Sequence, residues 1–309
     1  MWLWLLTLLG LYFLYRWYRD RQILLNLPDK YVLITGCDSG FGNLLAKQLD
    51  RKGMRVLAAC LTQRGAEQLK EATSQRLQTL ILDVTDSQSV AAAADWVKEQ
   101  VGDRGLWGLV NNAGIAVPLA PNEWLTKDDF LKILNVNLVG VIDVTLSLLP
   151  LIRKAKGRVV NVASFAGRIS FVGGGYCISK YGVEAFSDSL RQELCSFGVK
   201  VCIIEPGIFK TFATDTQGTK KSLQQIWNRL PVEIKESYGQ DSYNKISKKV
   251  HYLDLVCNSK LTLVTDCMEH ALTAVHPHTR YSAGRDTKLI YLPFSYLPTS
   301  LADFLISLM

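Results

Sequence analysis

The sequence is poor in histidine and has no paired cysteine motif. Its four histidines lie at positions 251, 270, 276 and 278, so a catalytic histidine in the first two thirds of the chain is excluded. No Cys or carboxylate pattern joins the His-Pro-His pair to complete a metal site. The seven cysteines form no Cys-x-x-Cys pair and their number is odd, which indicates free thiols rather than a disulfide framework.

The sequence also lacks blocks of like charge. Its net charge of +7 comes from 35 Lys and Arg against 28 Asp and Glu, and these charges are dispersed along 309 residues. No basic run is interleaved with aromatic residues, so nucleic acid is not predicted as a partner. A hydrophobic content of 48% gives ample material for a core, in one large α/β domain or two small ones.

One long apolar run does occur, at the amino end. Residues 1–15 are almost continuously apolar or aromatic, and Arg16, Arg19 and Arg21 follow. A cleaved signal peptide would need a basic start and a small-residue cleavage site, and neither is present. A buried core helix is a second alternative, but residues 1–22 fit best as an uncleaved hydrophobic membrane anchor. The arginines favour a cytosolic catalytic domain, with peripheral or luminal attachment left open.

A glycine-rich turn follows the first predicted strand, residues 31–35. Gly36, Gly40 and Gly42 have the spacing G-x-x-x-G-x-G and precede a helical pattern. Glycines let the backbone approach a pyrophosphate, whose charge then lies at the amino end of the helix. The spacing G-x-G-x-x-G and the lysine of a P-loop are both absent.

Two charged residues bear on the choice between NAD and NADP. The second predicted strand, residues 55–60, has no acidic residue at its end to bind a ribose 2′-hydroxyl. Arg64 lies slightly further on and could meet a 2′-phosphate, whereas Asp38 in the glycine turn would repel one. The sequence therefore favours NAD over NADP, with a simple turn-forming role for Asp38 as the alternative.

The remaining pattern alternates strands and helices. Further strands are predicted at residues 77–82, 106–110, 158–162 and 199–204, with helices at 86–100 and 127–153 among them. Six βα units in this order predict a doubly wound, mostly parallel Rossmann-type sheet flanked by helices, in a single catalytic domain spanning residues 29–288. Its ligand site is expected at the carboxyl ends of the strands.

Tyr176 and Lys180 are four residues apart and share one face of a predicted helix. An ammonium beside a phenol lowers the phenol pKa, so Tyr176 is predicted to act as a general acid/base. Ser164, after the strand at 158–162, could bind the same substrate oxygen. Asn137 lies within an apolar helix and needs a hydrogen-bonding partner there. Taken alone, Y-x-x-x-K is more typical of a surface helix, and its neighbouring motifs are what favour the catalytic interpretation.

Together these motifs resemble the short-chain dehydrogenase/reductase family. The resemblance rests on T-G-C-D-S-G-F-G at 35–42, N-N-A-G at 111–114, Asn137, Ser164, Y-C-I-S-K at 176–180 and E-P-G at 205–207. More narrowly, the chain resembles the branch of microsomal retinol dehydrogenases and 3-alpha/17-beta-hydroxysteroid dehydrogenases in the stretches D-K-Y-V-L-I-T-G-C-D-S-G-F-G-N-L-L-A, G-L-W-G-L-V-N-N-A-G, S-K-Y-G-V-E-A-F-S-D-S-L, T-D-C-M-E-H-A-L and R-Y-S-A-G. The resemblance implies NAD-dependent oxidation of lipophilic alcohols, all-trans-retinol or hydroxysteroids. An NADPH-dependent reductase and a catalytically silent nucleotide-binding scaffold or lipid carrier are the alternatives.

The resemblance also implies site residues. Tyr176 is the expected acid/base, with Lys180 lowering its pKa and binding the ribose. Ser164 orients the substrate and Asn137 holds a water. Asp83 is expected at the adenine, Asn111 on the adenosine side and Thr211 at the nicotinamide carboxamide. The full expected set of cofactor-binding residues is Thr35, Gly36, Asp38, Ser39, Gly40, Phe41, Gly42, Asp83, Asn111, Tyr176, Lys180, Pro206, Gly207 and Thr211.

The carboxyl third carries expectations about substrate and membrane. Residues 208–260 mix charged and aromatic side chains and are expected to form the substrate lid. Residues 289–309 form an apolar segment with two prolines, expected to cover the pocket mouth or enter the membrane interface. The resemblance further implies an endoplasmic reticulum (microsomal) membrane location and a possible homodimer.

Overall fold

A seven-stranded parallel sheet forms the centre of the protein. The computed structural model describes residues 2–211 and 215–307. The strands are Tyr31–Ile34 (β1), Arg55–Cys60 (β2), Gln78–Ile81 (β3), Gly108–Asn111 (β4), Arg158–Val162 (β5), Lys200–Pro206 (β6) and Arg280–Ala283 (β7). Their order is β3-β2-β1-β4-β5-β6-β7. The order reverses between β1 and β4, which places a ligand crevice at the carboxyl ends of these two strands.

Helices cover both faces of this sheet. They are Trp2–Asp20 (α1), Gly40–Arg51 (α2), Gln63–Glu71 (α3), Ser87–Val101 (α4), Lys127–Leu134 (α5), Gly140–Lys154 (α6), Gly175–Glu193 (α7), Thr216–Arg229 (α8), Val232–Val256 (α9), Thr262–Thr273 (α10), Leu292–Phe294 (α11) and Thr299–Ser307 (α12). One face packs against α2 and α10, and the other packs against α4 and α6. The predicted Rossmann-type fold is therefore confirmed.

The structure refines two sequence-based predictions. The alternation predicted six strands, and β7 is a seventh, which pairs in parallel with β6 at the sheet edge. Its four residues carry too short an apolar pattern to be distinguished from a loop. The long helix predicted at residues 127–153 is present, but a π-helical turn at Asn135–Val139 interrupts it between α5 and α6.

The amino-terminal helix α1 leaves most of its apolar surface exposed. Trp4, Leu8 and Phe13 are more than half exposed. The helix has 19 residues, which corresponds to about 28 Å. Within the described chain, the stretch that has the length and hydropathy of a membrane span is Lys127–Lys154, and this stretch packs against the sheet. The anchor role of residues 1–22 stays a prediction.

The carboxyl third forms helices around an aromatic cluster. Trp227 of α8 packs against Trp124 at a ring-centroid distance of 4.9 Å, and against Tyr243 of α9 at 5.3 Å. Of the predicted lid at 208–260, positions 212–214 lie outside the described residues, as do positions 308–309 of the carboxyl segment. A π-helical turn at Thr287–Tyr291 precedes α11, which is partly buried, and α12, which is largely exposed.

Candidate active site

The glycine turn is fastened to the end of β4 by Thr35 and Asn112. The hydroxyl of Thr35 accepts hydrogen bonds from the backbone N–H groups of Asn112 and Ala113, both at 3.0 Å. Gly36 has a φ of +70°, and a Cβ there would lie 2.8 Å from the Cα of Ala113. A Cβ on Gly42 would lie 2.4 Å from the carbonyl oxygen of Gly36. Only glycine fits these two positions, so the turn packs closely against the end of β4 and the start of α2.

Asp38 reaches from the glycine turn to the end of β2. Its carboxylate accepts hydrogen bonds from the backbone N–H of Leu61 at 2.7 Å and of Thr62 at 3.0 Å. The hydroxyl of Thr62 donates to it at 2.6 Å and, in turn, caps the N–H of Gly65 in α3. The acidic group that the sequence lacks at the end of β2 is therefore supplied in space by Asp38.

The other predicted residues of the turn lie along one edge. Ser39 is exposed and precedes the first residue of α2. A Cβ on Gly40 would lie 3.8 Å from the side chain of Thr211, so Thr211 borders the turn. Phe41 packs edge to face against Phe209 at 5.7 Å. These contacts bring the segment after β6 over the amino end of α2.

Predicted residues also lie at the ends of β3 and β6. The carboxylate of Asp83 accepts hydrogen bonds from the N–H and hydroxyl of Thr85 at 2.9 and 2.7 Å. Pro206 is the last residue of β6, and the N–H of Gly207 donates to the carbonyl of Ala283 at 2.9 Å. Both groups lie at the carboxyl edge of the sheet, on opposite sides of the crevice.

The side chain of Asn111 lies in a buried hydrogen-bond network between neighbouring strands. Its side-chain amide donates to the hydroxyl of Thr145 and to the side-chain carbonyl of Asn161, both at 2.8 Å. Asn161, in turn, donates to the hydroxyl of Ser187 at 2.8 Å. This buried network ties β4 and β5 to α6 and α7.

Tyr176 and Ser164 meet at the carboxyl end of β5. Tyr176 is the second residue of α7 and is half-buried, and Ser164 follows β5 and is 4% exposed. Burial raises the pKa of Tyr176, and the nearby Ser164 side chain opposes this change without cancelling it. The predicted lowering of this pKa by Lys180 is therefore wrong for this structure.

Lys180 lies behind Tyr176 on the same helix. Its Nζ is 5.8 Å from the centroid of the Tyr176 ring and donates to the carbonyl of Val162 at 2.9 Å. Burial lowers the pKa of Lys180 to about 8, while the carboxylate of Glu184 opposes this change. The ammonium is thereby held on the side of α7 that carries Tyr176.

Asn137 lies in the π-helical turn and is fully buried. Its side-chain oxygen accepts from the N–H of Ile115 and its amide donates to the carbonyl of Ile115, both at 2.8 Å. The amide also donates to the hydroxyl of Ser179 at 3.1 Å. A Cβ on Gly114 would lie 3.3 Å from the Asn137 side chain and 3.8 Å from Lys180 Nζ. Asn137, Gly114 and Lys180 therefore adjoin, and the water-holding role of Asn137 stays a prediction.

Sequence reasoning missed a charged network beneath Lys180. Arg280 of β7 donates to Glu184 at 3.0 Å and to Asp188 at 2.7 Å, both on α7. Burial, with a further contribution from Glu205, raises the pKa of Glu184 to about 7, and Arg280 opposes this change. Glu184 lies four residues after Lys180, and that helical spacing was the available signal.

The site contains general acid/base groups and no evident metal ligands. In residues 2–211 and 215–307, no group of three or more His, Cys, Asp or Glu side chains is placed to hold a metal ion. Ser164 and Tyr176 lie at the carboxyl end of β5, Lys180 and Asn137 adjoin Gly114, and Gly36 of the turn lies against the neighbouring Ala113. The arrangement suits proton transfer beside a bound dinucleotide.

Three protein relatives match nearly the whole chain. Retinol dehydrogenase 16 of Homo sapiens is 65% identical over 303 residues, covering 98% of this chain and 96% of the relative. Retinol dehydrogenase 7 of Rattus norvegicus is 63% identical over 306 residues, with coverage of 99% and 96%. The 17-beta-hydroxysteroid dehydrogenase type 6 of Homo sapiens is 59% identical over 307 residues, with coverage of 99% and 97%.

Two solved structures share this fold, and a family model matches more than half of the chain. A short-chain dehydrogenase/reductase from Burkholderia phymatum, in complex with NAD, has a TM-score of 0.72 at 21% identity, covering 91% of this chain and 97% of that one. A short-chain dehydrogenase from Burkholderia cenocepacia, in complex with NADP, has a TM-score of 0.64 at 19% identity, with coverage of 89% and 97%. The family model for short chain dehydrogenases matches residues 30–222. This chain is therefore an oxidoreductase that belongs to the short-chain dehydrogenase family.

Proposed function

We propose that this protein oxidises the hydroxyl group of a lipophilic alcohol, retinol or a 3-alpha- or 17-beta-hydroxysteroid, to the carbonyl with NAD. The observation that carries this proposal is the placement of Ser164, Tyr176 and Lys180 together at the carboxyl end of β5, with Lys180 Nζ 5.8 Å from the centroid of the Tyr176 ring and bonded to the carbonyl of Val162. Ser164 affects the ionisation of Tyr176, so their two hydroxyl groups are near enough to act on one substrate oxygen. The substrate class is supported by relatives named retinol dehydrogenase and 17-beta-hydroxysteroid dehydrogenase.

The crevice residues fit a dinucleotide. Gly36 and Gly42 leave no room for a Cβ because the protein backbone and Asn112 pack closely there, and this tight turn precedes the amino end of α2, where a pyrophosphate binds in this fold. Asp83 lies just after β3 for the adenine side, and Thr211 borders the turn on the other side. When bound, NAD supplies the acceptor for the hydride that leaves the carbinol carbon.

The chain's own side chains position the alcohol and take its proton. Ser164 donates to or accepts from the substrate oxygen and holds it against Tyr176. Tyr176, as phenolate, takes the hydroxyl proton of the alcohol. Lys180 supplies positive charge on the same side of α7, which favours the phenolate once it forms. Asn137 fixes the strand-to-helix geometry around Lys180 through Ile115 and Ser179.

NAD is favoured over NADP by the position of Asp38. Its carboxylate lies at the end of β2, where the adenosine ribose of a dinucleotide binds in this fold. A 2′-phosphate there would face a like charge. Arg64 is exposed on the first turn of α3 and is the nearby cation that could offset this repulsion. The alternative, an NADPH-dependent carbonyl reductase, requires Arg64 to outweigh Asp38.

The apolar ends fit a substrate that partitions into membranes. The exposed apolar surface of α1 would associate with a bilayer, in keeping with a microsomal location. Tyr291, in the carboxyl segment, stacks on Phe165 with the two ring centroids 4.0 Å apart. Phe165 directly follows Ser164 in the chain. An apolar segment beside the catalytic serine would shield a lipophilic substrate from water.

The test is turnover of all-trans-retinol and a 3-alpha-hydroxysteroid with NAD and with NADP. The wild type is compared with Ser164→Ala and with Ser189→Ala, an exposed serine on α7. We expect NAD-dependent oxidation of at least one alcohol, a large loss in Ser164→Ala and wild-type rates in Ser189→Ala. Preference for NADPH and carbonyl substrates would establish the reductase alternative, and the absence of any turnover would reject both.

A further inference from the structure

A basic cavity lies where α1 meets the body of the protein. It has a volume of about 250 Å³ and is bounded by the end of α1 and by the segment that joins α10 to β7. Its polar lining includes Arg19, Arg191, Lys200, His276 and His278, and no Asp or Glu lines it. We call it the α1-root cavity.

The α1-root cavity is separate from the catalytic site. Lys200 is the first residue of β6, and Thr279 of the cavity lining directly precedes β7. The cavity therefore lies at the amino ends of the parallel strands, whereas Tyr176 and Ser164 lie at their carboxyl ends. Its ligand cannot be the dinucleotide or the alcohol bound at the carboxyl edge.

The positive charge of this cavity is only partly neutralised by the protein. Neither Arg19 nor Lys200 forms an ion pair with any other residue that the structure describes. Arg191 pairs with Asp188 through one terminal nitrogen at 3.0 Å. Its Nε is buried and has no hydrogen-bond partner among the described residues. Since an unpaired buried donor is costly, an anion in the cavity would stabilise this arrangement.

Hydrogen bonds between the end of α1 and the α10–β7 region hold the walls of the cavity in place. His270 of α10 bonds to the carbonyl of Asp20 at 2.9 Å and to the hydroxyl of Tyr281 at 2.8 Å. His278 lies 3.3 Å from the carboxylate of Asp20. The N–H of Val275 also donates to a backbone carbonyl in the chain after α1, at 2.8 Å. The cations on the two walls are therefore held facing one space rather than free to separate.

We propose that the α1-root cavity binds a phosphate group, that of an anionic phospholipid headgroup. Arginine and lysine together are the usual ligands of phosphate in proteins. Arg19 lies in the last turn of the apolar helix α1, so a helix embedded in a bilayer would place the cavity at headgroup depth. A second cavity next to it is also lined by Arg19, together with Tyr12 and Tyr15. Tyrosine side chains are enriched at the boundary between headgroups and acyl chains, so these two fit that depth of a bilayer. The lipid source rests on the proposed membrane association, whereas the phosphate chemistry does not.

The first arm of the test measures affinity for vesicles. The full-length protein is titrated with vesicles of phosphatidylcholine alone and of phosphatidylcholine with phosphatidylserine, without NAD. Wild type, Lys200→Gln and Arg191→Gln/Lys200→Gln are compared with Lys70→Gln/Lys98→Gln, which removes two exposed cations elsewhere. We expect the preference for anionic vesicles to fall about fivefold for each cation removed from the cavity. The control should keep the wild-type preference, and an equal fall in the control would overturn the proposal.

The second arm separates a lipid from a free phosphate. Thermal unfolding is followed in detergent with inorganic phosphate or with chloride at equal ionic strength. We expect phosphate to raise the Tm of the wild type and not that of Lys200→Gln, and this result would support the site. Lys200→Gln is chosen because it keeps the Arg191–Asp188 ion pair intact. If this rise occurs without any vesicle preference, the site stands and the lipid source is rejected. Failure of both arms rejects the site. Neither readout uses turnover, so loss of the proposed dehydrogenase activity would not be mistaken for failure here.

Discussion

The carboxylate of Asp38 accepts a hydrogen bond from the backbone N–H of Leu61 at 2.7 Å, although 23 residues separate them in the chain. Leu61 directly follows β2, whose end is where this fold recognises the adenosine ribose. The glycine turn, which is expected to receive the pyrophosphate, and the ribose site are therefore joined by one side chain. A single substitution at Asp38 should change cofactor choice without touching the catalytic residues.

Replacing Asp38 by Asn should relax the preference for NAD. The substitution removes the charge but leaves a side-chain oxygen for Leu61 and Thr62. We expect the ratio of kcat/KM for NADP to that for NAD to rise by roughly tenfold or more, because one like-charge repulsion is lost. Adding Arg64→Ala to this variant should lower its use of NADP again. An unchanged ratio in Asp38→Asn would mean that Asp38 serves only the turn.

Replacing Tyr176 by Phe should abolish oxidation but preserve dinucleotide binding. The ring remains in place, and only the ionisable oxygen is removed. We expect kcat to fall by about 10²–10⁴-fold, the usual contribution of a general acid/base, while the Kd for NAD from fluorescence titration stays close to that of the wild type. Tyr181→Phe is the matched control, because Tyr181 lies on the same helix and is 44% exposed. Wild-type turnover in Tyr176→Phe would remove this residue from the mechanism.

Replacing Glu184 by Gln should move the alkaline limb of the pH profile. The Glu184 carboxylate raises the pKa of Lys180, which is about 8, so its loss should lower that pKa further. The ammonium would then be lost at a lower pH, and kcat/KM should decline earlier on the alkaline side. The pKa of Glu184 is itself about 7, so the difference should appear above that pH and vanish well below it. Glu193→Gln, at the exposed end of α7, should leave the profile unchanged.

Replacing Arg158 by Met should destabilise the fold without changing the chemistry. Arg158 is 3% exposed and donates to the carbonyls of Ala271 and Ala274, at 2.6 and 2.5 Å. Two carbonyls at the end of α10 would lose their partners, which should lower the free energy of unfolding by about 2–4 kcal/mol. Denaturant unfolding measures this change, with the exposed Arg153→Met as the control. Equal stability of the two variants would show that water replaces the guanidinium.

Deleting residues 1–19 should release much of the protein from membranes. The deletion removes the exposed apolar surface of α1 but keeps Asp20, which contacts His270 and His278. The fold should survive, because β1 begins at Tyr31. Fractionation with an alkaline wash separates soluble, peripheral and embedded protein, and a second truncation that removes residues 299–309 tests the carboxyl segment. Full retention of the first truncated protein in the membrane would assign the anchor to another part of the chain.

Local patterns in the sequence determined the fold and the candidate catalytic groups. The spacing of Gly36, Gly40 and Gly42 after an apolar strand predicted the dinucleotide turn, because only this backbone can approach a phosphate closely. The four-residue spacing of Tyr176 and Lys180 predicted their shared helix face. Both features depend on neighbours within a few residues, and the period of a helix or strand can be recognised from the spacing of residues in the sequence.

Tertiary structure decided what depends on distant residues. Burial sets the direction of the Tyr176 pKa, and the carbonyl of Val162 accepts a hydrogen bond from the Lys180 ammonium, so the direction predicted from the sequence was wrong. The reach of Asp38 to Leu61, and the contact of Arg280 with Glu184, join segments that only sheet formation brings together. Desolvation and long-range hydrogen bonds have no periodic signature, and they exist only once the sheet and its helices have packed.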